Sequence, residues 1–317
     1  MNPVLATHQH FSSVSEFSDT VSQLGWLTHF RQLDCGTGAT SLSALLNSTA
    51  ILLRVCCDRR TKQDVVPPQG YQTIGLPLSS LKSSTIQNRP LNNGQLLYVH
   101  EQEGFSCVGD PGFDAYTVSI ASSRMSELSQ NLHLSDPGDT IDLWGTEIRP
   151  DPKRLATVKA IVHKIFDLEQ SPPQDLVARS TLDELIEAQL PSALLQIGTS
   201  QHSGNRVPIR NRELALQRAI NYVENHSKEA LTVEALCLGA ATSLSTLERA
   251  FRERFSISPK RYIVVQRLNH VHAALLDNHE RRTISDVASE WGFWHMGQFA
   301  ADYKLLFGYL PSKTSVN

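Results

Sequence analysis

Near its C-terminal end the 317-residue chain repeats itself. Phe251, Phe255 and Pro259 return as Tyr303, Phe307 and Pro311, each 52 positions later. Upstream, Thr232-Val-Glu-Ala-Leu-Cys-Leu-Gly-Ala-Ala-Thr-Ser243 is matched in pattern by Thr283-Ile-Ser-Asp-Val-Ala-Ser-Glu-Trp-Gly-Phe293, about 51 residues on. Apolar positions shared at a fixed offset mean two copies of one supersecondary unit, too few for a solenoid. Each copy opens on a threonine suited to cap a helix; the second carries the fuller capping box, with Asp286 three residues after Thr283.

In copy one, Thr232–Ala240 reads as a supporting helix, Ala241–Ser243 as a tight turn and Leu244–Phe255 as a second helix capped by Ser243. Leu247, Phe251 and Phe255 lie one turn apart and face a core. Ser245, Thr246, Glu248, Arg249 and Arg252 then fall on the outer face. A short helix, a tight turn and a second helix with a polar outer face make a helix-turn-helix unit, which reads base edges with the start of its second helix. Arg249 suits a bidentate contact to guanine, Ser245 and Thr246 suit bases or phosphate, and Arg252 suits the backbone. In copy two, Phe299, Tyr303 and Phe307 form the inward stripe. Trp294, His295, Met296 and Gln298 stand at the helix start, followed by Ala300 and Ala301, which cannot hydrogen-bond through their side chains. Between the copies, Pro259–Leu276 reads as one connecting helix, with Leu268, Val271 and Leu275 on one side. Two reading helices that engage one face of a duplex must lie about 34 Å apart.

Charge supports this. The whole chain has a net charge of −3, but Arg249–Arg282 holds 8 basic residues against 3 acidic. A local basic stretch is what phosphate contacts need, and a solvated helix face reads the same way on charge alone. Lys260 and Lys304 complete the candidate DNA contacts. Cys35, Cys56, Cys57, Cys107 and Cys237 form no metal-ligand spacing, and their odd number suggests reduced thiols. Cys56–Cys57 reads as the end of a buried strand, with a redox pair as the alternative. No opening signal pattern and no apolar run of membrane-spanning length is seen, so a cytoplasmic protein is expected.

Residues 1 to about 143 read as strands and turns: Ala50–Cys56, Tyr71–Leu78, Gln95–His100 and Asp114–Ile120, with Asn92-Asn93-Gly94 as a turn. This spacing suggests a small barrel or sandwich. Val14–Leu24 reads as a helix. Leu155, Val158, Ile161, Val162, Ile165 and Phe166 recur at helical spacing after Pro152, and a second helical stretch, Leu176–Leu190, ends at Pro191. These amphipathic helices either pack back on the barrel or pair with another subunit. Ser200–Arg212 reads as a linker. The histidines His8, His10, His29, His100 and His133 are scattered, without the clustered spacing of a catalytic metal site.

Over about Leu214–Lys313 the chain resembles the AraC/XylS family of bacterial regulators. The resemblance rests on Leu247-Glu-Arg-Ala-Phe-Arg-Glu-Arg-Phe255, on Arg267-Leu-Asn269, and on Trp291-Gly-Phe-Trp-His-Met-Gly-Gln-Phe-Ala-Ala-Asp-Tyr-Lys-Leu-Leu-Phe-Gly308 followed by Pro311-Ser312. The Gly-Phe-Trp-His form is similar to one subset of that family. The resemblance implies a bipartite DNA-binding domain behind a cupin-like sensor and dimerisation domain. It places base-facing side chains at Ser245, Thr246 and Arg249, and at Met296, Gly297, Ala300 and Ala301. Three positions depart from the family pattern. Ala241 replaces the usual turn glycine, and Ser256 the usual glycine before the proline; both fit if the backbone there avoids positive φ. Ala301 stands where an arginine is often found.

The expected fold is therefore α+β: a small cupin-like β-barrel sensor domain with helices over 1–200, a linker at 201–212, and an all-α domain of two helix-turn-helix units over 213–317. The expected function is sequence-specific regulation of transcription, as an activator controlled through the N-terminal domain. Two alternatives stand beside it: a regulator whose N-terminal domain only dimerises, and a DNA-repair enzyme fused to a DNA-binding domain, which needs an activated cysteine. Expected partners are double-stranded promoter DNA, RNA polymerase, a second copy of the chain and a small-molecule effector. No catalytic residue, cofactor, metal or membrane partner is expected.

Overall fold

The computed structural model describes residues 5–78, 84–86, 89–91, 94–99, 104–133, 147–148, 150–170, 175–198, 211–229, 231–277 and 282–314. The N-terminal part holds twelve strands among the described residues: β1 (Leu5–Phe11), β2 (Leu27–Gln32), β3 (Thr40–Leu46), β4 (Ala50–Cys57), β5 (Thr61–Val66), β6 (Tyr71–Pro77), β7 (Thr85–Ile86), β8 (Arg89–Pro90), β9 (Leu96–Val99), β10 (Phe105–Gly109), β11 (Phe113–Ala121) and β12 (Glu147–Ile148). They form a seven-stranded sheet, ordered β1-β3-β4-β11-β6-β9-β12, and a five-stranded sheet, ordered β2-β5-β10-β7-β8. All pairings are antiparallel. The two sheets face each other without closing into one ring, which refines the expected cupin-like barrel. Helix α1 (Val14–Gln23) forms where the spacing of Val14, Phe17 and Val21 puts it, capped by Ser13. The expected turn residues Asn92 and Asn93, and His100, lie outside the described residues.

Strand β4 is buried on both faces, and its alternation assigns the two layers. Ile51, Leu53 and Val55 join Phe17, Trp26 and Phe30 between the sheets. Leu52 points the other way, with Tyr116, Val118 and Ile120 of β11, into a second core. That core is closed by α3 (Pro152–Glu169) and by α4 (Leu176–Glu184), a π turn (Leu185–Gln189) and α5 (Leu190–Gly198), which follow α2 (Ser122–Leu132). Leu155, Val158, Val162 and Ile165 of α3 are buried there, so the amphipathic helices pack back on their own sheet.

Pro191 does not end this helical run, contrary to expectation. Proline has no N–H to give the carbonyl four residues back, that of Glu187. The structure satisfies that carbonyl from outside: the Arg124 guanidinium donates to it through Nη2 (2.8 Å) and Nε (3.2 Å). The π turn immediately before Pro191 takes up the local strain, with Leu190 N–H reaching back to Leu185.

The C-terminal domain is helical throughout: α6 (Asn211–Asn225), α7 (Val233–Gly239), α8 (Leu244–Phe255), α9 (Pro259–Leu276), α10 (Ile284–Glu290) and α11 (Met296–Phe307), then a 3₁₀ turn (Pro311–Lys313). Residues 201–210 of the expected linker lie outside the described residues, and Asn211 and Arg212 already belong to α6. Thr232, Ser243 and Thr283 cap their helices as read, and Thr283 with Asp286 closes a capping box.

The turn between helices is left-handed in both units, and here an expectation fails. Ala241 has φ +50° and Ser256 φ +60°. In unit one Ala241 N–H reaches Leu238 and Thr242 N–H reaches Cys237, the paired bonds of a helix C-terminus that needs a left-handed residue. The repeat offsets place Gly292 (φ +78°) and Gly308 (φ +85°) at the corresponding points of unit two. The backbone thus makes the same turns in both units, but unit one makes them with side chains that crowd the left-handed region. Replacing Ala241 or Ser256 by glycine is expected to raise unfolding free energy by about 0.5–1 kcal/mol each, relief of strain outweighing the freer unfolded chain. Urea titration of the two variants checks this; a loss of stability in both contradicts the assignment.

Candidate nucleic-acid interface

The first reading helix, α8, stands on Leu247, Ala250, Phe251 and Phe255, all buried. This seat leaves Ser243, Ser245, Glu248, Arg249 and Arg252 exposed and Thr246 half-buried. The three hydroxyls at the helix start form one cluster: Ser243 Oγ donates to Thr246 Oγ1 (2.9 Å), accepts from Thr246 N–H (3.3 Å) and touches Ser245 Oγ at 3.2 Å. They crowd the positive end of the helix dipole, where a phosphate is favoured.

Arg249 projects from the outer face with 68% of its side chain exposed. Without DNA its Nε donates to Glu253 Oε1 (2.9 Å), one turn on. Arg212 grips the same carboxylate at 2.7 Å. Hydrogen bonds from Arg249 and then Arg212 hold the Glu253 carboxyl below its ordinary range, so it stays ionised. Arg212 read as linker in the sequence; nothing in its neighbourhood there signals a contact with Glu253, 41 residues away.

The second reading helix, α11, presents a different surface. Phe299, Tyr303, Leu306 and Phe307 are buried. His295 occupies the cap position but makes no capping bond, which leaves the first-turn N–H groups to an outside acceptor. Trp294 is 74% exposed beside it. Met296 is half-buried against the domain core, while Gly297 faces open space. Gln298 is exposed but turned along its own helix, donating to Asp302 (2.9 Å), and Asp302 is held in turn by Arg261 of α9 at 2.8 Å. Ala301 is exposed and Ala300 half-buried; Lys260 and Lys304 are exposed. Most of the residues read from sequence thus gather at the starts of two helices, Arg252 and Lys304 lie further along them and Lys260 on α9, and none is buried. Helix α9 joins the units: at about 1.5 Å per residue, its 18 residues extend about 27 Å.

The five cysteines are free thiols. Burial pushes the Cys57 and Cys107 thiols up to about 12. Burial also raises Cys56, with Asp114 adding to the effect, and Cys237. These four are held protonated, opposite to the activation a repair nucleophile needs. Among the described residues no group of three or more His, Cys, Asp or Glu is placed to hold a metal ion, and no helix is long and apolar enough to cross a membrane.

Two helix-turn-helix units on a rigid connecting helix, behind a two-sheet domain, define a bipartite DNA-binding protein. A family model described as a helix-turn-helix domain matches residues 236–316. The activator RhaS of Escherichia fergusonii is 31% identical over 221 residues, 70% of this chain and 76% of that protein. The chain belongs to the AraC/XylS family of DNA-binding regulators. XylDLEGF operon transcriptional activator 3 of Pseudomonas putida is 33% identical over 101 residues. That match covers 32% of this chain and only 30% of the relative's length. Among solved structures, the AraC-like transcriptional activator CuxR aligns with 91% of this chain and 100% of its own, at 12% identity and a TM-score of 0.42.

Freeing Arg249 is expected to strengthen DNA contact. The exposed Arg249–Glu253 pair is worth about 0.4 kcal/mol, so Glu253→Gln should tighten binding to duplex DNA about twofold. Fluorescence anisotropy at fixed salt reads this. Weaker binding in the variant would mean that Glu253 instead holds Arg249 in its reading position.

Proposed function

We propose that this chain is a transcription activator whose two helix-turn-helix units engage successive major-groove segments of a promoter, under control of its N-terminal domain. The observation that carries the reading is the pair of helix starts, Ser243–Arg249 and Trp294–Gln298, held by one connecting helix with Ser243, Ser245, Glu248, Arg249, Trp294, His295 and Gln298 exposed. The family relatives named as activators support the sign of regulation. RNA polymerase is then the protein partner at the promoter, a second copy of the chain fills a paired site, and the cytoplasm is the compartment.

The units divide the work unequally. Unit one offers hydroxyls and Arg249 to base edges; unit two offers Met296, Gly297, Ala300 and Ala301. Hydrogen-bond readout belongs to unit one. Unit two contributes backbone contacts through Lys304 and the uncapped start of α11, shape, and contacts to thymine methyls.

A small-molecule effector is supported by a largely apolar cavity between the two sheets. It is lined by Phe17, Trp26, Phe30, Leu53, Phe105 and Phe113. The buried Trp26 indole N–H lacks a partner, which suits a hydrophobic molecule with one hydrogen-bond acceptor.

Selection of bound sequences from a randomised duplex library, at fixed salt, tests the reading. The expected result is one sharply defined half-site and a looser one about a helical turn away. Arg249→Ala should relax a single base pair of the sharp half-site, at a cost of roughly 1–3 kcal/mol. Two equally sharp half-sites would sink the division of labour, and equal weakening on operator and random DNA would reduce Arg249 to a phosphate contact.

A further inference from the structure

We propose that His8 and His10 form a surface chelate for a late first-row divalent cation of the zinc and nickel class. The site lies on β1, far along the chain from the DNA-reading helices, and is independent of the function proposed above. In a strand, residues two apart share a face, so His8 and His10 stand together with Gln9 on the opposite side. Their Nε2 atoms approach to 3.2 Å, and the rings meet edge to face with centroids 4.8 Å apart. Two imidazole nitrogens on one tetrahedral zinc, each about 2.0–2.1 Å from the metal, stand about 3.3 Å apart. The pair already holds that spacing.

The second observation is what fixes it. Ser43 is the cross-strand partner of His8 on β3, and its Oγ lies 2.7 Å from His8 Nδ1. Nδ1–H donating to Ser43 leaves the Nε2 lone pair of His8 directed at the gap shared with His10. A hydrogen bond to the far ring nitrogen is the device that orients metal-binding histidines and sets their tautomer. Among the described residues β1 is an edge strand, paired with β3 alone, and both rings are exposed, so water completes the coordination shell. Arg54, in register with Ser43 on the next strand, is neutralised by Asp114 at 2.9 Å, so the face does not repel a cation. Neutral imidazoles favour zinc, nickel and copper over magnesium, which prefers oxygen ligands.

The test is isothermal titration calorimetry of the untagged full-length protein with zinc chloride, nickel chloride and, as control, magnesium chloride. One zinc or nickel ion should bind per chain and magnesium should not. His8→Ala and His10→Ala should each remove that event, and Ser43→Ala should weaken it by roughly tenfold. His10→Gln, which keeps the size and polarity of the strand surface, repeats the measurement should the alanine variant melt early. Absence of zinc and nickel binding by the parent protein overturns the proposal. So does binding that survives both histidine substitutions, which would mark the pair as a mere hydrogen bond between two rings.

Discussion

One side-chain amide ties the two domains together. Asn269, in the middle of α9, accepts from Gln32 N–H (3.0 Å) and donates to Gln32 C=O (2.9 Å). Gln32 ends β2, an edge strand of the five-stranded sheet. An edge exposes backbone groups that must find partners; Asn269 supplies them as a neighbouring strand would. The Gln32 side chain extends the joint, its Nε2 donating among the carbonyls of Asp34, Gly36 and Leu306. Gly36 N–H also bonds Leu306 C=O, at the end of α11. The sheet domain thus touches both the connecting helix and the second reading unit, while both reading faces stay open.

Around this joint the outer face of the five-stranded sheet is charged and covered. Lys62 of β5 bonds Glu224 of α6 at 2.6 Å, and Arg31 of β2 bonds Asp64 at 2.6 Å and Gln266 of α9 at 2.7 Å. Arg60 bridges Asp110 and the carbonyl of Arg254 in α8. Arg254 is buried with its Nε and Nη1 unpartnered, and burial drops its pKa to about 10. Buried ion pairs give up hydration that their attraction only partly returns. Leu33 and Val108 supply its apolar part, joining the core of the C-terminal domain. Ser13 adds a contact at the far end, its Oγ 2.8 Å from His272. Burial holds His272 down to about 4, hence neutral at pH 7.

The two helix-turn-helix units share a backbone and differ in chemistry. Both turn through left-handed residues, which are Ala241 and Ser256 in one unit and Gly292 and Gly308 in the other. Gly308 has a further reason to lack a side chain: a Cβ there would stand 2.4 Å from Thr37, in the loop that follows β2. Unit two is thus fitted against the sheet domain at Thr37, as unit one is through Arg60 and the Arg254 carbonyl, and unit one carries the more polar outer face.

The C-terminal domain is legible from the order of residues alone, because a helix-turn-helix unit is a local object. The 52-residue offset, the threonine and serine caps and the spacing of Leu247, Phe251 and Phe255 all act within a few turns of chain. They fixed the helices, their inward faces and therefore the outward residues Ser245, Thr246 and Arg249. Legible too are strands β4, β6, β9 and β11, whose apolar runs are buried on one or both faces. Strands β1 and β5 were not legible. β1 (Leu-Ala-Thr-His-Gln-His-Phe) is an exposed edge, and β5 (Thr-Lys-Gln-Asp-Val-Val) is polar because its outer charges meet the other domain. That meeting is set by tertiary contacts, as are the fates of Arg212 and Pro191 and the orientation of the His8 ring. Each depends on a partner distant in sequence — Glu253, Arg124 or Ser43 — and periodicity carries no information about which distant residue supplies the missing donor or charge.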